Sequence, residues 1–294
     1  EMRKYNSSYF KLGKVIVSTD NSFIPKSELT KLRSEMDGLL FDLLCPVQPE
    51  KKMIDLPVYN SKLGQERVLH VQVYSYDQAR EALERGADIL YYDVFAPDIY
   101  NVCSLVKSQG KLFGVHTPMV LRDNDLNMVQ SILDRLCEVD SRAIDRLLVN
   151  NVGAMNLKVG CPKVLGYQMN IFNDNQIAQY GCKAVASIEL NLQELSEFAQ
   201  KDKLIYYAHG NPVVMTFNEN IPARSLTDEM GYTFGLRRTA TSVEMLYSKT
   251  IGTLQHTSDI LNSGITELFL DLAFDVGSVV GYYRKILDGE AGEF

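Results

Sequence analysis

Acid–base side chains recur in this sequence directly after short apolar runs. Glu189, His116 and His209 each stand at the end of such a run. Carboxylates and imidazoles are the usual general acids and bases, and an ionised group that ends an apolar strand must find a partner or change its pKa. We therefore expect Glu189, His209 and His116 to be catalytic or binding groups. A structural ion pair for Glu189, and hydrogen-bonded rim positions for the two histidines, are equally open interpretations.

Other polar groups that could bind a ligand are amides and a carboxylate at the ends of apolar runs, and a pair of arginines in the long segment before the last predicted strand. A ring of amides suits the orientation of a small polar molecule, although it can also simply satisfy a barrel rim. Two adjacent arginines can bind a carboxylate or phosphate bidentately, or they can be surface residues without a binding role. The residues we expect to bind a ligand are Asn150, Asn151, Gln168, Asn170, Asp271, Arg237 and Arg238.

The elements that position these groups alternate between strands and helices. The predicted strands are 68–73, 89–94, 112–116, 147–151, 164–169, 184–188, 204–208 and 267–272, and helical segments lie between them. This pattern predicts an α/β protein with a (β/α)8 TIM-like barrel over residues 59–294, in which polar residues at the carboxyl ends of the strands share one mouth. An open doubly wound sheet is the alternative, but the first strand is not followed by the glycine-rich fingerprint of that fold.

Two segments stand outside the repeat. Residues 1–58 predict a small N-terminal α+β appendage and linker, with a strand or strand pair over 10–20, a helix after Pro25 capped by Ser27, and a proline-containing linker over 45–63. Residues 211–260 form a long insertion between strands seven and eight. Within it we expect a hairpin that turns at Asp228 to Gly231.

Composition narrows the function classes. A net charge of −7 argues against nucleic acid as a partner of this region, and no apolar run reaches the roughly 18 residues that span a membrane. The five cysteines are scattered without a Cys-x-x-Cys pair, which favours reduced thiols in a cytoplasmic protein. The chain contains no metal-ligand spacing and no familiar hydrolase motif, so we expect no metal site.

Several segments resemble a known family. Residues 167–173, 181–195, 206–216 and 226–234 are similar to the collagenase-like peptidase family of unknown catalytic type, family thirty-two, and the similarity covers most of 67–272. Residues 23–33 also resemble a segment that joins two barrel-like regions in long members. The resemblance thus suggests that the chain is the C-terminal part of a longer protein.

The same resemblance raises the question of a cofactor. Family members that serve in prephenate-linked RNA hydroxylation or in ubiquinone hydroxylation carry an iron-sulfur cluster, which needs four cysteine thiolates. Asn220 stands near the position of the first thiolate, residues 221–224 are too few for the next group, and residues 239–242 offer hydroxyls instead of the last. We therefore expect no cluster and no other cofactor.

Two functions remain open at this point. In the first, the protein is a hydrolase of the peptidase family that binds a small anionic or peptide-like ligand at the C-terminal mouth of the barrel. In the second, it is a non-catalytic binding or scaffold barrel related to the hydroxylation proteins. Partners other than the ligand would be another domain of a longer chain or a second copy in a homo-oligomer.

Overall fold

The chain forms two compact units that divide between Pro57 and Val58, one residue before the predicted boundary. The computed structural model describes residues 13–14, 16, 18, 20, 23–44 and 57–290. Among these described residues, no helix is long and apolar enough to cross a membrane.

The first unit contributes one described helix, α1 (Lys26–Leu44), none of whose residues is buried. The predicted cap at Ser27 is wrong, because Ser27 lies inside the first turn and Pro25 stands before the helix, where its fixed φ suits a helix start. The predicted strand over 10–20 falls mostly outside the described residues. Of the predicted linker over 45–63, residues 45–56 also lie outside the described residues.

The second unit is a closed barrel of eight parallel strands, as predicted. In chain order they are β1 (Val68–Gln72), β2 (Ile89–Asp93), β3 (Leu112–His116), β4 (Arg146–Val149), β5 (Lys163–Leu165), β6 (Lys183–Val185), β7 (Leu204–Gly210) and, after the insertion, β13 (Glu267–Asp271). Each strand pairs in parallel with the next, and β13 closes the ring by pairing with both β7 and β1.

Helices cover the outside of the barrel. They are α2 (Tyr76–Glu84), α3 (Ile99–Ser108), α4 (Asp123–Val139), α5 (Asp174–Tyr180), α6 (Leu192–Glu197), α7 (Thr257–Asn262) and α8 (Val276–Leu287). Ser75, Asn173 and Asn191 cap α2, α5 and α6 by accepting backbone N–H groups with their side chains. Outward-facing strand residues such as Leu90, Phe113 and Leu270 pack beneath these helices in the main apolar core.

Aromatic side chains fill the middle of the barrel interior. Tyr91, Tyr167, Tyr207 and Phe269 belong to an inner cluster that is separate from the outer core. Their ring centroids lie 5.0 Å apart for Tyr167 and Tyr207, and 6.0 Å apart for Phe269 with either Tyr91 or Tyr207. The barrel is therefore closed in the middle, with openings only at its two ends.

The insertion builds a second sheet beyond the single hairpin predicted. Its strands are β8 (Val213–Phe217), β9 (Ser225–Thr227), β10 (Thr233–Arg238) and β11 (Val243–Leu246), in the antiparallel order β8-β11-β10-β9. A further short strand, β12 (Ile251–Gly252), runs antiparallel to β7. The predicted hairpin is confirmed, since the Asp228 carboxylate accepts the backbone N–H groups of Met230 and Tyr232 at the turn between β9 and β10.

Charged side chains occupy the inner face near the amino end of the strands. The Glu267 carboxylate contacts Nε2 of His70 at 2.9 Å and also accepts the Lys183 ammonium, while Nδ1 of His70 lies 3.1 Å from the Tyr91 hydroxyl. Burial alone would raise the pKa of Glu267. The hydrogen bonds and charges of His70 and Lys183 outweigh that effect and hold the pKa below its ordinary value of 4.5.

Replacing the Glu267 carboxylate tests how much this buried network contributes to the stability of the protein. We expect Glu267→Gln to lower the free energy of unfolding at pH 7 by about 2 kcal/mol, because a charged hydrogen-bond acceptor is lost from a buried network. Since the native pKa is depressed, the contribution of Glu267 is fully present above pH 4.5 and is lost as the pH falls through the native pKa. Urea denaturation between pH 7 and pH 3 measures the difference. Glu197→Gln, on the exposed face of α6, is the control, and equal effects of the two variants would contradict the prediction.

Candidate functional site

A cavity of about 350 Å³ opens at the carboxyl ends of the barrel strands. This mouth cavity is large enough for a small organic molecule. It is lined by Gln72, Tyr74, Tyr92, Asp93, Phe95, Ala96, Pro97, His116, Thr117, Pro118, Met119, Asn150, Tyr167, Gln168, Arg237, Arg238, Thr239, Ala240 and Glu244.

Two parts of the fold supply these residues. The floor and one wall come from the ends of consecutive barrel strands, where Gln72, Asp93 and His116 are the last residues of β1, β2 and β3. The opposite wall comes from β10 and β11 of the insertion, which carry Arg237 and Glu244. The inserted sheet thus completes the cavity that the barrel begins.

Arg237 joins these two parts, and it also forms an ion pair within the insertion. Nε and Nη2 of Arg237 donate to Oε2 of Glu244 at 2.9 and 2.8 Å, and the two residues are cross-strand partners in β10 and β11. The guanidinium carbon of Arg237 also lies 3.9 Å from the ring centroid of Tyr74, which is a cation–π contact. Its Nη1 is 3.8 Å from Oδ1 of Asp271, at the end of β13. Arg237 is therefore occupied by side chains of the protein.

Asp271 lies beneath the cavity, and only one of its two carboxylate oxygens accepts hydrogen bonds. Oδ1 accepts the Tyr74 hydroxyl and, at 3.4 Å, the amide nitrogen of Gln72, whereas Oδ2 is buried without a partner. Burial raises the pKa of Asp271 above its ordinary value, although Arg237 and Tyr74 act in the opposite direction. Burial also raises the pKa of Tyr74, so that its hydroxyl stays protonated and donates to Asp271.

His116 is the buried base of the mouth cavity. Only 6% of the residue is exposed, and its Nε2 has no hydrogen-bond partner. Burial lowers the pKa of His116, while the neighbouring carboxylate of Asp93 opposes this shift. Asp93 is paired with His116 across β2 and β3, and one of its oxygens accepts the backbone N–H of Phe95. The imidazole is thus neutral at neutral pH, with a nitrogen free to exchange a proton.

Asn150 forms a fixed polar corner of the cavity. Its side-chain NH2 donates to the backbone oxygen of Thr117 at 2.8 Å, and its own backbone N–H donates to the Thr117 hydroxyl. The amide oxygen lies against Gly166, where a Cβ atom would come within 1.7 Å of it. Gly166 is therefore required for the position of the Asn150 amide.

Of the three predicted catalytic groups, only His116 reaches the cavity. Glu189 is exposed in the loop after β6 and does not line the mouth cavity. The strand ends at Val185, three residues earlier than predicted, so that the chain has left the barrel by residue 189. The Glu189 carboxylate is exposed to solvent and therefore does not need the protein partner that was expected for an ionised group at the end of a strand.

His209 faces away from the mouth. The register between β7 and β13 shifts so that Tyr207 pairs with Phe269 and His209 with Leu270, which leaves Ala208 as an extra residue. Such a bulge reverses the inward and outward alternation beyond it. The His209 ring consequently packs edge-on against Tyr283 of α8, with centroids 5.8 Å apart, and lines a separate cavity of about 60 Å³.

The predicted ligand-binding residues divide in the same way. Asn150, Gln168, Arg237 and Arg238 line the cavity, and Asp271 lies directly behind it. Asn151 caps a short 3₁₀ turn by accepting the Gly153 N–H, and Asn170 adopts a left-handed conformation and accepts the Ser187 hydroxyl. Asn151 and Asn170 therefore have structural roles outside the cavity.

Several cavity residues were not predicted from the sequence. Gln72 is the last residue of β1 and Tyr74 lies two residues beyond it, and this spacing could have indicated that both face the mouth. Tyr167 belongs to a 3₁₀ turn, whereas the sequence predicts a strand over residues 164–169. Nothing in the sequence indicates that Glu244 lines the cavity, because its position depends on its pairing with Arg237 across β10 and β11.

The described residues do not fit an iron-sulfur cluster at this site. No cysteine is among the residues that line the mouth cavity, and the described cysteines, Cys103, Cys137, Cys161 and Cys182, are free. Burial raises the pKa of the Cys103 and Cys161 thiols to about 11. The described part of the chain also contains no group of three or more histidine, cysteine, aspartate or glutamate residues placed to hold a metal ion.

The ion pair of Arg237 and Glu244 gives a first test of the site. Removing the guanidinium in Arg237→Met leaves a buried carboxylate unpaired, which we expect to cost about 3–5 kcal/mol of unfolding free energy. The double variant Arg237→Met/Glu244→Met should recover a large part of that loss, because neither charge remains. Urea denaturation of both single variants and the double variant measures the coupling. Additive effects of the two substitutions would contradict a shared buried pair.

A methyl group at residue 166 gives a second test. We expect Gly166→Ala to displace the Asn150 amide from Thr117 and to destabilise the protein by about 1–3 kcal/mol, the cost of a lost buried hydrogen bond. Gly160→Ala is the matched control, since a Cβ atom there would have no neighbour within 4 Å. Thermal unfolding compares the stability of the two variants. Equal stability would contradict the prediction, because it would show that the Asn150 amide can move without cost.

Comparisons with known proteins give only distant likenesses. No family model matches the chain, and no curated protein matches it significantly. Among solved structures, the chain is similar to the Bacillus cereus spore cortex-lytic enzyme SleL, with 8% identity and a TM-score of 0.44 over 77% of this chain and 75% of that one. It is also similar to the chitinase RmChi1 from Rhizomucor miehei, with 11% identity and a TM-score of 0.43 over 74% and 99% of the two chains. Likenesses of this size carry no argument about activity.

Proposed function

We propose that the protein is a hydrolase of the collagenase-like peptidase type that binds a small peptide-like ligand in the mouth cavity, with His116 as its general base. The observation that carries this proposal is the unpartnered Nε2 of His116, a buried nitrogen on a neutral imidazole that lines the cavity. Buried polar atoms without partners are rare in folded proteins, so a ligand or a water that completes the bond is the expected occupant.

The charges of the lining favour a ligand with both a positive and a negative end. Asp93 and Glu244 supply negative charge, and Arg237 and Arg238 supply positive charge. Because Arg237 is held by Glu244, it is not free to bind an anion. Arg238 donates through Nη2 to the backbone oxygens of Ile221 and Ala223, which leaves other donors of its guanidinium for a ligand carboxylate.

The walls suit the rest of such a ligand. Tyr74, Tyr92, Phe95 and Tyr167 line the cavity and can contact an ammonium group or an apolar side chain through their rings. The carboxylate of Asp93 lies in the same cavity and can pair with that ammonium group. A short peptide or an amino-acid amide satisfies these features better than a purely anionic molecule does.

The proposed reaction needs only water and the neutral imidazole. His116 Nε2 takes a proton from a water molecule as the oxygen attacks the amide carbon of the ligand. The carbon–nitrogen bond then breaks, and the proton passes from the imidazolium to the departing nitrogen. Neutral His116 is restored at the end of the cycle.

A non-catalytic binding barrel is the second candidate. It is favoured by the absence of serine and cysteine from the residues that line the cavity, and by the Thr117 hydroxyl, which is buried and already accepts the backbone N–H of Asn150. In this case the ligand would occupy the same cavity without being cleaved. Binding without amine release therefore identifies the second function.

The test compares hydrolysis of a dipeptide and amino-acid-amide panel by the wild type and His116→Gln. We expect His116→Gln to lower kcat/KM by roughly 10²- to 10⁴-fold, the usual contribution of a general base. Because the pKa of His116 is lowered from 6.5, the wild-type rate should stay level above pH 6.5 and fall as the pH drops through the native pKa. Liberated amine is the readout. His256→Gln is the matched control, since the His256 side chain is 69% exposed. Retained activity in His116→Gln would contradict this role.

A further inference from the structure

A second cavity lies at the amino end of the barrel, opposite the mouth cavity. Its volume is about 480 Å³, and it is lined by the first residues of strands around the barrel, among them Val68, Ile89, Leu112 and Glu267. The aromatic cluster in the middle of the barrel separates this amino-end cavity from the mouth. It is therefore independent of the site proposed above.

The inner face of the barrel is charged at this end. Leu148, Val185 and Phe269 belong to the inner cluster, and residues two positions earlier on a strand share the same face. Arg146, Lys183 and Glu267 consequently face the interior below that cluster, where barrels usually carry branched apolar side chains. Two basic side chains thus accompany one carboxylate.

The carboxylates around the amino-end cavity are already engaged. Glu267 contacts both Lys183 and His70. Asp88 accepts Lys111 at 3.0 Å and Arg284 at 2.9 Å, and it also accepts the backbone N–H of Leu69. Glu66 also lines the cavity, but it is exposed. Glu267 and Asp88 are therefore paired with cations other than Arg146.

Arg146 has no carboxylate partner among the described residues. Its Nη1 donates to the backbone oxygen of Asp145 at 2.7 Å, which is its one described hydrogen bond. A guanidinium carries five N–H donors in a planar fork, so most donors of Arg146, which lines the cavity, have no acceptor among the described residues. Arg67, at the rim, similarly donates only to the backbone oxygen of Leu287 among the described residues. The amino-end cavity thus holds positive charge and unused donors.

We propose that the amino-end cavity is a binding site for a small oxyanion, which Arg146 holds in bidentate fashion with Lys183 and Arg67 beside it. An oxyanion supplies the acceptors that the Arg146 fork lacks and balances the excess positive charge of the inner layer. A phosphate group and a carboxylate group share this chemistry. Isothermal titration with different probes distinguishes these two sources.

The experiment titrates the full chain with inorganic phosphate in a chloride buffer of constant ionic strength, with sulfate and malonate as parallel probes. We expect saturable binding at one site per chain. Tighter binding of phosphate and sulfate identifies a tetrahedral oxyanion, and tighter binding of malonate identifies a carboxylate ligand. Failure of all three probes to bind saturably would overturn the proposal.

Variants locate the site. Arg146→Gln should weaken binding at least about tenfold, since it removes charged hydrogen bonds to the anion. Arg135→Gln is the matched control, because Arg135 is exposed on α4 and, among the described residues, also donates only to a backbone oxygen, that of Ser131. Equal affinity in the two variants would overturn the proposal. If Arg146→Gln does not fold, Arg146→Lys serves instead, and it should bind severalfold more weakly because it keeps the charge without the fork.

Discussion

The alternation of side chains along a closed parallel barrel is the constraint on which the rest of this structure depends. Every second residue of a strand faces a narrow interior, where an isolated charge is costly. Tyr91, Tyr167, Tyr207 and Phe269 fill the middle of that interior and leave no room for charged groups. Polar residues therefore collect at the two ends. The mouth cavity and the amino-end cavity are consequences of the same packing.

The two ends balance their charges differently. At the mouth, the insertion brings a second layer of protein, and Arg237 on that layer is neutralised by Glu244 and lies near Asp271. At the amino end, Arg146 lines a cavity and has only a backbone acceptor among the described residues. The mouth thus retains an unpartnered imidazole nitrogen of His116 and an unpartnered carboxylate oxygen of Asp271, whereas the amino end retains unused donors.

Much of the barrel could be predicted from the sequence, because the alternation of strand and helix segments is visible in local residue patterns. The strand β3 was predicted at its observed bounds, and the hairpin turn at Asp228 followed from turn chemistry. The site was harder to predict, because it depends on contacts that the sequence does not display. One extra residue at Ala208 turned His209 outwards, and an early end of β6 left Glu189 in water. Glu244 entered the site only through its pairing with Arg237.

The most direct test of a ligand site built around His116 is a long-range ¹H–¹⁵N spectrum of the histidine side chains. The wild-type protein is titrated with a dipeptide, and the ring nitrogens of all four histidines are followed together. We expect the Nε2 resonance of His116 to shift with saturation, while those of His70, His209 and His256 remain in place. A His116 resonance that does not move, or a shift confined to His209, would contradict a ligand site at the mouth of the barrel.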